Sequence, residues 1–414
     1  MKKFLAMLLA LVMALSLVAC GEKKDDTQGD GDGDATAAKV KVGFITLHDE
    51  NSTYDLNFIN AAKKAIEDLG LTEDDYILKT NVPEGQECYE TAMDMVDNGC
   101  NIIFADSFGH EPYMIDAAKE NPDVQFCHST GTRAHTEGLA NYHNAFASIY
   151  EGRYLAGIAA GMKLNEMIEA GKFTAEEAKM GYVGAFTYAE VVSGYTSFYL
   201  GAKSVCPTVT MEVTFTGSWY DETLEKTGAE LLIDRGCKLI SQHADSFGAP
   251  TACQNAGVPN VSYNGSTKNV GADTYIISSR IDWAPYYEYA IKAVMNGTAI
   301  DADWTGTLAT GSVVLEELNT DVAAAGTAEA IEAAKAKLES GELHVFDVST
   351  FTTKADDTMN TFKVDFLKVD ENGHITSYLA DVDTDEAYTG DTEVVHDGYF
   401  AESEKRSAPY FDLQ

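Results

Sequence analysis

The sequence predicts an α/β protein built as two doubly wound lobes, each a parallel sheet wrapped by helices. Strand-like apolar runs alternate with helix-like segments from Val40 onward, at a spacing that demands crossover connections. The series runs through once and starts again after Leu139-Ala140-Asn141-Tyr142, which makes two units of similar size. Nearly every strand ends in a polar loop with aromatic residues, and the carboxyl ends of such strands are where open sheets bind ligands.

The first unit sets the pattern. Val40-Lys41-Val42-Gly43-Phe44-Ile45 is β-branched and apolar, as a strand buried on both faces should be. A polar loop with one aromatic ring follows, Leu47-His48-Asp49-Glu50-Asn51-Ser52-Thr53-Tyr54-Asp55, and then Phe58, Ala61 or Ala62, Ala65 and Leu69 take helical spacing. Tyr76-Ile77-Leu78 reads as a short strand and 87–97 as a helix closed by Asn98-Gly99. Asn101-Ile102-Ile103-Phe104-Ala105 is a buried strand that stops at Asp106-Ser107-Phe108-Gly109-His110. After a helix over 113–120, Val124-Gln125-Phe126-Cys127 is the next strand and opens on His128-Ser129-Thr130-Gly131.

The second unit repeats the rhythm. A helix over 149–164 carries Ala156, Gly157, Ala159, Ala160 and Gly161, small residues that let another helix approach closely. The strand Met180-Gly181-Tyr182-Val183-Gly184 opens on Ala185-Phe186-Thr187-Tyr188. Met211-Glu212-Val213-Thr214-Phe215 opens on Gly217-Ser218-Trp219-Tyr220-Asp221, Lys238-Leu239-Ile240-Ser241 on His243-Ala244-Asp245-Ser246, and Asn260-Val261-Ser262-Tyr263 on Asn264-Gly265. Further on, 328–338 is an Ala-rich helix and Leu343-His344-Val345-Phe346 a short strand. The stretch 361–379 is a β-hairpin in which Phe362, Val364 and Phe366 alternate with Lys363 and Asp365, turning at Asn372-Gly373.

What precedes the first strand speaks of export. Met1-Lys2-Lys3 is basic, 4–19 is almost wholly apolar, and Leu17-Val18-Ala19-Cys20 closes it. The run is short for a membrane span and reads as a signal peptide over 1–19, cleaved before Cys20 with a lipid on the Cys20 thiol. Residues 20–38, rich in Gly and Asp, form a flexible tether; the Asp30-Gly31-Asp32-Gly33-Asp34 run lacks the Gly and Glu that a calcium loop needs at Ala35 and Lys41.

A formal net charge of −37 argues against nucleic acid, whose phosphates require clustered Lys and Arg. Cys88, Cys100, Cys127, Cys206, Cys237 and Cys253 are widely spaced and form no zinc pattern, so they read as free, mostly buried thiols, with a bridge left open by spacing alone. No metal or cofactor is expected.

Several of these pieces occur in the order of a known family. The strand and loop over 42–55, Lys119-Glu120-Asn121-Pro122-Asp123-Val124-Gln125-Phe126, Glu151-Gly152-Arg153-Tyr154-Leu155-Ala156-Gly157, Gly201-Ala202-Lys203-Ser204-Val205 and Gly217-Ser218-Trp219-Tyr220-Asp221, together with the Cys20 signal, resemble the basic membrane lipoprotein family, PnrA-like. The resemblance covers roughly 40–300. It implies the type I periplasmic-binding-protein fold with a hinge crossed three times. The first lobe is then 39–145 with 279–311 returning to it through a helix over 283–295, and the second lobe is 146–278 with 312–414. It further implies a monomeric, lipid-anchored receptor on the outer face of the cell membrane, which captures a purine nucleoside and passes it to an ABC permease.

Candidate ligand residues follow from the loops. The family stacks an aromatic residue of the first loop on the base, and Tyr54 takes that place with Asn51, Ser52 and Asp55 beside it, Asp55 having helix capping as its other role. Asp106 ends a strand where a carboxylate can hold hydroxyls, with Ser107 and Phe108 in its loop and His110 ranked below them. Opposite stand Phe186, Tyr188 and Trp219 as aromatic faces, then His243 and Asp245. Two departures from the family, Asn264 for an Asp and Ser279-Arg280 for a Lys, place Asn264 and Arg280 in the site and loosen the tie to nucleosides. A nucleobase, a sugar or riboflavin is the alternative within the same class. An exported nucleoside-processing enzyme is the alternative outside it, against which stand the lack of a nucleophile elbow, of metal spacing and of a phosphate-cradling loop.

Overall fold

The computed structural model describes residues 39–353, 367–380 and 392–402. The signal segment, Cys20, the tether and the 361–366 part of the expected hairpin lie outside the described residues.

The first sheet contains β1 (Val42–Ile45), β2 (Tyr76–Lys79), β3 (Ile102–Ala105), β4 (Gln125–Ser129) and β5 (Tyr142–Ala147). Every pairing among them is parallel, in the order β5-β4-β3-β1-β2. The helices between them are α1 (Thr53–Asp68), α2 (Gln86–Asp97), α3 (Glu111–Glu120) and the single-turn α4 (Ala134–Glu137). Ser52 starts α1, its side chain accepting from the Asp55 N–H at 3.2 Å. Helix α3 begins two residues before the expected 113 because Pro112 sits in its first turn, where a missing N–H costs nothing.

The second lobe repeats the plan. Long helix α5 (Ile149–Glu169) leads into β6 (Lys179–Gly184), α6 (Ala189–Val205), β7 (Thr210–Phe215), α7 (Glu222–Asp234), β8 (Leu239–His243), α8 (Gly248–Ala256), β9 (Asn260–Tyr263) and β10 (Tyr275–Ile281). Sheet order β10-β9-β8-β6-β7 mirrors the first lobe, again all parallel. In both sheets the strand order reverses beside the first strand of the unit, between β1 and β3 and between β6 and β8, and these switch points open crevices at the strand ends.

After β10 the chain returns: α9 (Ala284–Asn296) packs on α1, and β11 (Asp303–Gly306) adds to the first sheet beside β5. It then crosses once more, so that β12 (Val313–Leu315) pairs antiparallel with β10. The lobes are thus joined by three crossings, after Ala147, after Ile281 and after Gly306. Ser279, Arg280 and Ile281 still belong to the second sheet, held by β12, so the return starts just beyond them rather than at 279. Helix α10 (Thr327–Ser340) packs against α5.

The C-terminal strands are β13 (Phe346–Asp347), β14 (Leu367–Val369), β15 (Ile375–Ala380), β16 (Thr392–Glu393) and β17 (Tyr399–Phe400). The strand expected over 343–346 shrinks to β13, since its partner β17 offers only two residues. The β14–β15 pair is antiparallel and turns at Asn372-Gly373, where Gly373 takes φ +90° and Asp370 accepts from the backbone N–H of Asn372 and His374. All six described cysteines are free and buried.

The small residues of α5 meet α6 at close range. A Cβ on Gly157 would overlap the Phe198 carbonyl, and one on Gly201 would overlap the Tyr154 carbonyl, so both positions admit only hydrogen. Because the obstacle is backbone, the neighbour cannot rotate away. Gly201→Ala should therefore destabilise the protein by roughly 2 kcal/mol, in the range of core overpacking. Urea unfolding followed by far-ultraviolet circular dichroism checks this, and an unchanged midpoint would show that the two helices are looser than described.

Candidate functional site

Both switch points face one cavity. Its walls are Leu47, His48, Tyr54, Asp55, Ser107, Phe108 and Thr130 from the first lobe and Glu190, Trp219, His243 and Asp245 from the second, around about 370 Å³ of empty space. That space includes the solvent at its mouth.

The first-lobe wall is organised by two carboxyl groups. Asp55 accepts from the His48 N–H at 2.7 Å and the Ser52 hydroxyl at 2.5 Å, with His48 Nδ1 at 3.3 Å. Burial alone would raise its pKa, but those bonds overcome it and hold the group below the usual value, so Asp55 is ionised. Asp106 accepts from the Leu47 N–H at 3.1 Å through one oxygen, while its other oxygen is buried without a partner. Burial, and then the nearby Asp55 charge, push its pKa well above normal, so Asp106 keeps its proton.

The Tyr54 hydroxyl donates to the Asp106 carbonyl at 2.7 Å and its ring packs on Phe58 at 4.8 Å. Behind Asp106, burial lowers His110 to about 4, which leaves it neutral; its Nε2 lies 2.9 Å from the Val82 carbonyl. The Ser107 hydroxyl is spent on Glu84 at 2.5 Å, which pins the loop. Thr130 sits at φ +66°, a strained conformation for a β-branched residue and of the kind found at ligand walls.

In the second lobe, burial and then the Asp55 charge push Asp245 well above the usual carboxyl value, and Asn264 donates to it at 3.0 Å. Burial, with the buried Arg153 guanidinium behind it, holds His243 well below normal, so this imidazole is uncharged. Burial also raises Glu190 to about 7. Trp219 is fixed by its carbonyl, which accepts from the Asp245 N–H at 2.9 Å. Among the described residues no lysine or arginine lines the cavity.

The lobes touch around this space. The Asp245 carbonyl accepts from Thr53 N–H at 3.0 Å, and the Asn264 carbonyl accepts from Asn57 Nδ2 at 2.6 Å. At the mouth Phe108 and Tyr188, 38% and 36% exposed, meet across the gap with ring centroids 5.4 Å apart. His48 and Tyr220 make a second such contact at 5.5 Å. The arrangement is a closed cleft.

Of the residues singled out from sequence, Tyr54, Asp55, Ser107, Phe108, Trp219, His243 and Asp245 line the cavity. Ser52 and Asp106 stand directly behind that wall. Phe186 and Tyr188 pack on Trp219, at 5.0 and 5.8 Å, and flank the mouth. Asn51 faces outward and bonds Asp49. Asn264 and Arg280 line a separate groove beside α1, where Arg280 pairs with Glu316 at 2.5 Å, so Arg280 does not reach the cavity. Sequence reasoning missed Leu47, His48, Thr130 and Glu190 as wall residues. For Glu190 a signal existed, an acid in the first turn of a helix directly after an aromatic loop.

Comparison with known proteins agrees with this geometry. The family model described as "ABC transporter substrate-binding protein PnrA-like" matches residues 44–347. The chain is 33% identical over 258 residues to a Haloferax volcanii protein named as an ABC transporter glucose-binding protein, 62% of each chain being aligned. It is 33% identical over 263 residues to a purine-binding protein of Brucella abortus, the alignment spanning 63% of this chain and 70% of that one. Among solved structures, an ABC transporter solute-binding protein from Aeropyrum pernix superposes with a TM-score of 0.62 at 20% identity, over 74% of this chain and 93% of the other. That likeness is one of fold.

Groups whose pKa is raised in the folded state hold protons that the unfolded chain has released. The stabilisation is therefore complete below the ordinary value near 4.5 and is lost as pH climbs through about 7, the value burial gives Glu151, Glu190 and Glu225. Asp55, whose pKa is lowered, acts in the opposite sense, but below its ordinary 3.8. His110, His128, His143 and His243, whose pKa burial lowers, act in the opposite sense up to their ordinary 6.5. The melting temperature of the ligand-free protein should therefore fall between about pH 6.5 and about pH 8, and Glu190→Gln should remove part of that fall. Scanning calorimetry across the range checks it; a midpoint that rises with pH contradicts it.

Proposed function

The chain belongs to the PnrA-like family of ABC transporter substrate-binding proteins, non-catalytic extracytoplasmic receptors for small polar solutes, and from that premise we propose that it captures a purine nucleoside between its lobes and delivers it to an ABC permease. The observation that carries the reading is a closed cleft with Tyr54 and Phe108 on one lobe and Trp219 on the other, with no lysine or arginine among the described wall residues. Aromatic faces from both sides suit a planar ring, each contributing about 1 kcal/mol beyond burial. The ionised Asp55 suits ribose hydroxyls, which donate to a carboxylate. A phosphate would meet acids but no lysine or arginine among the described wall residues, which argues against nucleotides.

The Brucella relative's name, purine-binding protein, supports the purine; the Haloferax relative's name keeps glucose as the ligand to test against it. A free purine base is the second reading, which the Brucella relative's name supports equally. The receptor is further proposed to be monomeric and anchored through a lipid on Cys20.

The first experiment is a thermal-shift screen of the full chain against purine and pyrimidine nucleosides, nucleobases, glucose, ribose and riboflavin. A ligand that binds only the folded state raises the melting temperature with the logarithm of its concentration. A large shift with adenosine, guanosine or inosine supports the reading; a shift with glucose alone overturns the purine and keeps the receptor. Trp219→Ala should then weaken purine binding by about tenfold or more, measured calorimetrically, as removal of a buried aromatic anchor does. For the anchor, Cys20→Ser should release the protein from membranes, and an intact mass showing an uncleaved, unmodified amino terminus would count against it.

A further inference from the structure

Glu190 enters the cavity from the first turn of α6, and its carboxyl has no hydrogen-bond partner among the described residues. His243 Nε2 lies 3.8 Å from it, too far for a hydrogen bond. Its side chain is largely removed from solvent, 17% exposed. The other acids of the site have partners: Asp55 takes the His48 and Ser52 donors, Asp106 the Leu47 N–H and Asp245 the Asn264 amide. The Glu190 carboxyl is thus partly sheltered from water and free to pair with whatever fills the space it lines.

Resting on the purine reading, we propose that Glu190 is the specificity-determining residue of the site, pairing edge-on with the base and selecting it by the base's pattern of donors and acceptors. A protonated carboxyl offers a donor beside an acceptor and matches a ring nitrogen beside an amino group, the adenine pattern. An ionised carboxylate offers two acceptors and matches a ring N–H beside an amino group, the guanine pattern. Burial places the change between the two forms at about 7. The ligand preferred therefore depends on pH.

Burial holds several of the groups around Glu190 in one protonation state. From α1 come Tyr54, whose phenol burial keeps protonated, and the ionised Asp55; behind them is the protonated Asp106. From the second sheet come Tyr182, Tyr263 and the uncharged His243, with the protonated Asp245 beyond β8. Arg153 is a buried cation, but it is screened by these same rings, bonded to the Tyr182 hydroxyl at 2.9 Å and stacked on Tyr263 at 4.8 Å. His48 lies on the far wall against Asp55. A contribution from any of these other groups would persist in the Glu190→Gln protein.

The test is calorimetric titration of the full chain with adenosine, guanosine and unsubstituted purine riboside at about pH 6 and about pH 8. In the unmodified protein the affinity ratio of adenosine to guanosine should fall by up to about a hundredfold between the two, about tenfold from each nucleoside, and purine riboside, lacking the amino group, should bind more weakly than adenosine. Glu190→Gln fixes a donor beside an acceptor, so the ratio should stay at its low-pH value throughout. Glu190→Ala should weaken both nucleosides and flatten the ratio, which covers the case of a poorly folded Gln variant. A pH-independent ratio in the unmodified protein, or a pH-dependent one in Glu190→Gln, overturns the role of Glu190 while the purine reading stands. Failure of the unmodified chain to bind any of the three overturns the purine reading, and this inference with it.

Discussion

The site depends on one constraint: several carboxyl groups are taken out of water with no lysine or arginine among the described wall residues to pair with them. An ionised carboxylate in such a place costs several kcal/mol unless other groups compensate it. Asp55 is compensated by donors packed around it and stays charged; Asp106 and Asp245 are not, and respond by keeping their protons. One sheet edge thus presents an acceptor while neighbouring residues of the same type present donors. Composition alone would describe all of them as negative.

The fold brings these groups together because both lobes have the same strand order, so each places its switch point toward the other. Closure and recognition then share residues. The Asp245 carboxyl forms cavity wall while its carbonyl holds Thr53 of the opposite lobe. Asn264 donates to that carboxyl while its own carbonyl accepts from Asn57 across the cleft. A ligand that reorients Asp245 therefore acts on the clasp between lobes through a single hydrogen-bonded pair. Because the three crossings hold each lobe as a unit, such local changes are expressed as rigid-body opening or closing.

Much of this was legible in the sequence because periodicity and loop chemistry are local. The alternation of apolar strands with helices gave both sheets, and the small residues of α5 announced the close approach of α6. Tyr54, Asp55, Trp219, His243 and Asp245 could be placed near the cavity because residues just past a strand end have few other places to go. What could not be read depends on partners distant in the chain. Arg280 is turned away because β12, more than thirty residues on, pairs with its strand and supplies Glu316. Thr130 gives no sign of a left-handed backbone. Glu190 reads locally as an ordinary acid complementing a helix amino terminus, and only the cavity formed with distant residues gives it a place in the wall.

The same electrostatics narrows the ligand from a second direction. Sugars and purines both pack on aromatic rings and both carry groups that donate hydrogen bonds, so Tyr54, Phe108 and Trp219 alone do not separate them. The acids do so by protonation state. A hexose presents hydroxyls all round its ring, each able to donate or accept, and is indifferent to whether a carboxyl holds its proton. A purine presents fixed donors and acceptors along a rigid edge and is not indifferent. A wall that sets an ionised Asp55 beside protonated Asp106 and Asp245, with Glu190 held between the two states, discriminates best among ligands of the second kind. On the proposed purine reading, the burial that makes these groups expensive is also what would let them distinguish one base from another.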